Sequence, residues 1–215
     1  GGYDYGNDDE DPQDQHSHGT HVAGIVASED PVYLGVAPGA KIVALKVFTD
    51  AGAGSVSDAI SGIDWCVDNA SLFNISVITM SIGVTDGGGT EIPYTSFCDS
   101  NQALAAKASW AVTQGIFVDA SSGNTQGTDG ITAPACGINV TSVGSVDDND
   151  ALSNSNTAVI MSVLAPGASI NSTVLSGNMG TKSGTSMAAP HVAGTAALLI
   201  QYWKKAYNVN ITPFQ

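Results

Sequence analysis

The sequence predicts an α/β fold, a mostly parallel sheet with helices on both faces. Short apolar segments of strand length alternate with helical segments, as in residues 41–48 (KIVALKVF) followed by the helix-patterned residues 56–67. The strand segments are apolar almost throughout rather than at every second residue, which marks strands buried on both faces of a parallel sheet. The loops after three of these strands, residues 49–55, 81–90 and 121–130, are rich in Gly and Ser. Ligands of such sheets sit at the carboxyl ends of the strands, where small residues let a ligand approach the backbone. With 215 residues, 43% of them hydrophobic, and with no repeat or linker, residues 1–215 are expected to form one domain with a sizeable core.

Taken in order, residues 1–15 carry Asp4, Asp8, Asp9, Glu10, Asp11 and Asp14, have no apolar period and read as loop. This acidic run is read as a solvated face, or as a calcium site using Asp9, Asp11 and Asp14, since clustered carboxylates in a loop suit that hard cation. A helix is expected over residues 18–27. Strands follow at 41–48, 77–82, 115–120, 139–146 and 160–164, and helices at 56–67, 102–114 and 186–204. His16, His18 and His21 raise a zinc reading, but His18 and His21 are three apart with no Glu between them, unlike the H-E-x-x-H pattern, and no metal ligand is assigned.

The last helix carries the sharpest signal. Gly184-Thr185-Ser186 leads into an apolar run from Met187 to Leu199 with no charge, as expected of a helix buried on all sides. Read as the N-cap, Ser186 would place Pro190 in the first turn, where a missing N–H costs no intrahelical bond. A hydroxyl there lies beside free backbone donors that can hold an anion, which suits a serine nucleophile as well as a capping serine.

Composition excludes other classes. The net charge is −14 with only six Lys plus Arg, which argues against nucleic acid or an anionic membrane as partner. No apolar run reaches membrane-spanning length. Three Cys permit one disulfide and one free thiol rather than a disulfide scaffold.

Three segments together resemble the subtilisin-like serine proteases, the subtilases. His18-Gly19-Thr20-His21-Val22-Ala23-Gly24 resembles the family's histidine motif, the segment from Gly184 through Gly194 (GTSMAAPHVAG) its serine motif, and Ser122-Gly123-Asn124 the segment that supplies an oxyanion-hole asparagine. The resemblance covers nearly the whole chain. It implies a subtilisin-like three-layer fold and a serine endopeptidase acting on peptides or proteins. Ser186 would be the nucleophile, His18 the base, and Asn124 with the Ser186 N–H the oxyanion donors. Ser81, Ile82 and Gly83 would offer a backbone edge to an extended substrate, faced by Gly52, Ala53 and Gly54, with Ser122 and Gly123 also lining the cleft. His21 and His191 are left structural. Cys98 and Cys136 lie in segments that resemble a secreted subgroup with paired cysteines, which implies a Cys98–Cys136 disulfide and an extracellular place. Calcium is a structural expectation of the resemblance; the chemistry requires no cofactor.

One part of the pattern is missing. The triad needs a buried carboxylate that orients the histidine. In the family it stands at the end of an early strand upstream of the histidine motif, and no such segment occurs here. None of Asp4, Asp8, Asp9, Asp11 and Asp14 is given that role, because they are read as loop rather than strand end. The chain is therefore expected to be a piece of a larger subtilase, truncated at the N-terminus and at the C-terminus as well, with a strand-sized gap in its sheet. The alternative is a protease-like protein that binds extended peptides without cleaving them.

Overall fold

The computed structural model describes residues 2–214. In chain order the elements are β1 (Gly2–Asp4), α1 (His18–Ala27), β2 (Ala44–Lys46), α2 (Val56–Asp68), α3 (Ala70–Phe73), β3 (Val77–Met80), α4 (Ala103–Thr113), β4 (Phe117–Ser121), β5 (Thr141–Val146), β6 (Val163–Pro166), β7 (Ile170–Thr173), β8 (Met179–Lys182) and α5 (Thr185–Tyr207). Strands β3-β4-β5-β6 form a parallel sheet, β1 and β2 a separate parallel pair, and β7 and β8 an antiparallel hairpin. An α/β architecture with a mainly parallel sheet is what the alternation of segments predicts.

The pleat sorts the side chains into two cores. Ile78, Met80, Val118 and Ala120 pack with Ile63 of α2 and Leu104, Ala105 and Ala108 of α4. On the opposite face Val143 and Ala165 pack against Ala188 and Ala189 of α5, with α1 beside α5. Burying a Val or Leu side chain in such a core contributes about 1.5–3 kcal/mol.

Three sequence expectations are corrected. Residues 1–15 are not all loop: Gly2–Asp4 pairs with Ala44–Lys46, so Asp4 does stand at a strand end and is buried at 1% exposure. A three-residue strand with polar flanks carries no periodicity, and only its partner β2 reveals it. The apolar run of α5 is buried only in its first half, because Leu198 and Leu199 are 43% and 52% exposed. Finally, α5 begins two residues earlier than an N-cap at Ser186 would place it. Gly184 is its N-cap, Ser186 its second residue, and Pro190 lies in the second turn rather than the first.

The sheet is interrupted between β2 and β3, where no ladder joins them among the described residues. A cavity of about 2020 Å³ opens there, walled by Leu45 and Val47 on one side, Ile78 and Met80 on the other, with Ile63 and Ala193 above and below. Every residue of β2 and the first three of β3 are exposed or half-buried, while β4 and β5 are buried beyond their first residues. Unpaired strand edges leave N–H and C=O groups without partners, a costly state that a further strand would relieve. The expected gap in the sheet is present.

Candidate active site

The start of α5 is shaped by Gly184. Its φ of 139° and ψ of 171° lie in a region open essentially to glycine. A Cβ there would stand 2.8 Å from Asn124 Oδ1, so the close approach also requires glycine. Ser186, two residues past this kink, has an N–H that no helical carbonyl can accept.

Pro190 has a consequence for the serine. In an α-helix the residue-190 N–H would donate to the carbonyl of Ser186, and proline has none to give. Ser81 Oγ fills the deficit, donating to the Ser186 carbonyl at 2.8 Å. The Ser186 hydroxyl donates in return to the Ser81 carbonyl at 3.5 Å. The nucleophile candidate is thus fastened to the first residue of the Ser81-Ile82-Gly83 edge, at the carboxyl end of β3.

Asn124 follows β4 and is oriented by Thr185. The Thr185 N–H donates to Asn124 Oδ1 at 2.9 Å and the Thr185 hydroxyl at 3.1 Å. A backbone N–H can only donate, so the amide oxygen must face Thr185 and the NH2 group is turned away, free for another acceptor. Ser122, fully buried, donates its hydroxyl to the Asn156 carbonyl at 2.9 Å, and Gly123 turns at φ 109°. Asn156 is itself 1% exposed and ties this turn together: its N–H donates to the Gly123 carbonyl at 2.9 Å, and its Oδ1 accepts from the Thr125 hydroxyl and the Gly127 N–H.

His18 opens α1 and lines the cavity between β2 and β3. Burial depresses its pKa, the Lys182 and His16 charges add to this, and Asp14 opposes it. No hydrogen bond joins the imidazole to Ser186 or to a carboxylate among the described residues. His21, three residues on, is fully buried and donates from Nε2 to the carbonyls of Ile170 and Gly180, which fastens α1 to the β7–β8 hairpin. Gly52, Ala53 and Gly54 are exposed in a turn closed by the Thr49 N–H on the Ala53 carbonyl, and Gly52 approaches the His16 ring.

The carboxylates of the first segment have other tasks. Asp4 accepts from Lys46 Nζ at 2.7 Å and from the Asn7 N–H and side chain at 2.9 Å each. Burial alone would raise its pKa, but these donors overcome it and hold it below the usual range. Asp14 accepts from the N–H groups of His16, Ser17 and Thr20 and from the Thr20 hydroxyl, capping α1. Asp9 and Asp11 each take a local N–H. Among the described residues no three His, Cys, Asp or Glu groups are placed to hold a metal ion.

Cys98 and Cys136 form a disulfide with Cα atoms 5.5 Å apart. Cys66 is free and buried on α2, and burial pushes its thiol up to about 11. Sequence reasoning missed Thr185, Asn156 and Glu91 as parts of this site. Thr185 stands inside the serine motif and was within reach of inspection. Asn156 and Glu91 lie in polar, Gly-rich loops where nothing in the local pattern separates them from solvated residues.

Both the sequence and the fold are similar to those of known proteins. The sequence matches the Peptidase_S8 family, the Subtilase family, over residues 1–213. It is 40% identical over 195 residues to Subtilisin E of Bacillus subtilis (strain 168), an alignment that spans 87% of this chain and 46% of that protein. It is likewise 40% identical over 195 residues to a subtilisin of Bacillus pumilus, spanning 87% of this chain and 64% of that one. A solved cold adapted subtilisin-like serine proteinase superposes with a TM-score of 0.83 at 36% identity, over 99% of this chain and 70% of that chain. The chain therefore spans about half to two thirds of the length of these curated relatives.

Proposed function

The chain belongs to the subtilase family, and on that premise we propose that it forms the body of a serine endopeptidase acting on peptide or protein substrates. The substrate lies extended along Ser81, Ile82 and Gly83, with Gly52, Ala53 and Gly54 opposite and its scissile carbonyl over Ser186. The Ser186 oxygen bonds to that carbonyl carbon while its proton passes to His18. Negative charge gathers on the carbonyl oxygen, where the Asn124 NH2 and the Ser186 N–H receive it. The C–N bond then breaks, His18 returns the proton to the leaving amine, and water repeats the sequence on the acyl-enzyme. Half-buried His18 has its pKa lowered by desolvation, which favours the neutral imidazole that a base requires.

The carboxylate that orients His18 comes, in this proposal, from a strand outside residues 1–215 seated between β2 and β3. The observation that carries it is the cavity between those strands, with His18 on its wall. The strand would complete the sheet and its terminal Asp would hold the imidazole toward Ser186. An extracellular place fits the Cys98–Cys136 disulfide, since such bonds persist in oxidising surroundings.

One observation favours a peptide binder without chemistry: His18 and Ser186 share no hydrogen bond. A fluorophosphonate probe separates the two. The 215-residue chain is treated with it alone, with an apolar strand peptide ending in Asp, and with the same peptide ending in Asn. Labelling of Ser186 accelerated by the Asp peptide alone supports the protease. Fast labelling without peptide removes the need for the outside carboxylate. Slow labelling under all three conditions, with the thiol of slot-lining Cys66 shielded by bound peptide, favours the binder.

A further inference from the structure

Glu91 is a charged group in the cleft that the mechanism does not use. It reaches in from the loop after β3, which is closed by the Thr85–Glu91 bridge. Its Oε1 and Oε2 accept the Asn124 N–H at 2.9 and 3.1 Å, and Oε2 also accepts Asn156 Nδ2 at 2.8 Å. All of these donors are neutral amides. The ion pairs of the described residues are Lys46 with Asp4 and Asp50, and Lys107 with Asp64, so no cation answers Glu91. A half-buried carboxylate without a counter-charge keeps its field and part of its acceptor capacity for whatever enters beside it.

Its position says what enters. Thr132, fully buried, is the shared floor of two glycines. Its Oγ1 lies 3.2 Å from where a Cβ on Gly83 would stand, and its Cγ2 lies 2.9 Å from where a Cβ on Gly123 would stand. Glu91 Oε2 is 2.6 Å from that same Gly123 position. Gly83 and Gly123 are the two backbone walls of the substrate cleft, so a side chain lying between them meets Thr132 and the Glu91 carboxylate.

We propose that Glu91 is a specificity-determining residue that selects a cationic side chain, Arg or Lys, on the substrate residue lying between Gly83 and Gly123. This rests on the cleft assigned above. A guanidinium or ammonium group there gains a charge-assisted hydrogen bond from Glu91, while an acidic side chain meets like charge. The chain's net charge of −14 favours the same ligands at longer range.

Glu91→Gln tests it with little loss of shape. A glutamine oxygen in the Oε2 place keeps the 3.1 Å Asn124 bond and the Asn156 bond, while its NH2 group replaces Oε1, so the variant removes the charge and the second, 2.9 Å acceptor of the Asn124 N–H. Peptides alike except for Arg, Leu or Glu at the one position are bound to the Ser186→Ala chain and to Ser186→Ala/Glu91→Gln, with affinity read by fluorescence polarisation. The expected order is Arg over Leu over Glu, with Arg favoured roughly five- to tenfold over Leu, a preference that shrinks in high salt and collapses in the Gln variant. A parallel loss for all three peptides in the Gln variant, with their order kept, makes Glu91 a brace for Asn124 and overturns the proposal. So does a parent chain that binds Leu as well as Arg, or one that binds none of the three. Hydrolysis by the Ser186 protein is followed separately. With the Asp-ending strand peptide present, charge-ordered binding without hydrolysis removes only the protease reading, and hydrolysis without charge preference removes only this one.

Discussion

Replacing Ser81 by Ala should destabilise the chain through a carbonyl that proline has stranded. The Ser186 carbonyl receives no bond from residue 190, and Ser81 Oγ donates to it at 2.8 Å. Leaving a partly buried acceptor without its donor costs about 1–3 kcal/mol. Both residues are half-buried, so the lower half of that range applies, and a domain of this size should melt roughly 2–6 °C lower. The mechanism makes a second, sharper claim. Pro190→Ala restores an N–H at the right place in the helix, so the Ser186 carbonyl gains a second donor. In that background Ser81→Ala should cost less, with a coupling of about 1 kcal/mol in the double-mutant cycle. The assay is thermal or urea unfolding of the four proteins. Additive losses, with Ser81→Ala equally costly in both backgrounds, would refute the reasoning. The cycle bears on the proposed function as well, because the same bond fastens the proposed nucleophile to the proposed substrate edge.

Other consequences follow from the same geometry. Gly184→Ala places a Cβ 2.8 Å from Asn124 Oδ1 at φ 139°, so it should displace the amide proposed to receive the oxyanion and lower kcat of the proposed protease on the order of 100-fold, against a small change in KM; unchanged kcat would contradict that role for Asn124. Asp119 is fully buried with Oδ2 unpartnered, and burial raises its pKa well above the usual carboxylate range, with the Thr79 hydroxyl opposing. Above the unfolded pKa near 4 the unfolded state releases this proton while the folded state keeps it, so the group's contribution is lost as pH rises toward the folded value. Asp119→Asn should therefore gain stability relative to the parent by roughly 1 kcal/mol per pH unit across that window, and a pH-independent difference in urea unfolding would contradict it. The His18 pKa is lowered by burial, so its contribution to stability is present above pH 6.5 and is lost as pH falls through the folded value; an NMR titration of the 215-residue chain placing His18 at or above 6.5 would reverse the sign. Reducing Cys98–Cys136, which are 38 residues apart, should cost about 2–4 kcal/mol of stability, read by unfolding with and without reductant.

Much of this was legible in the sequence because it was written locally. The alternation of apolar strands and helices gives the parallel sheet, and the Gly184–Gly194 segment marks where α5 begins. What escaped is what depends on pairing across the chain. Asp4 reads as one of many loop acids until β2 supplies both its strand partner and Lys46. Pro190 reads as a first-turn proline until the helix is seen to begin at Thr185, and only then does the Ser81 bond have a cause. Glu91 and Asn156 are 65 residues apart and meet only because two loops converge on Gly123. The exposed Leu198 and Leu199 show the limit of apolar patterning, which tells that a helix has an apolar face but not whether something covers it.

The most direct test of the central claim is a crystal structure of the protein as isolated from its natural source. The account predicts one extended strand hydrogen-bonded between β2 and β3, ending in an Asp whose carboxylate lies within about 2.6–3.2 Å of His18 Nδ1. A gap closed by collapse of α1 and α2 onto one another, or filled by a segment that brings no carboxylate to His18, would contradict it.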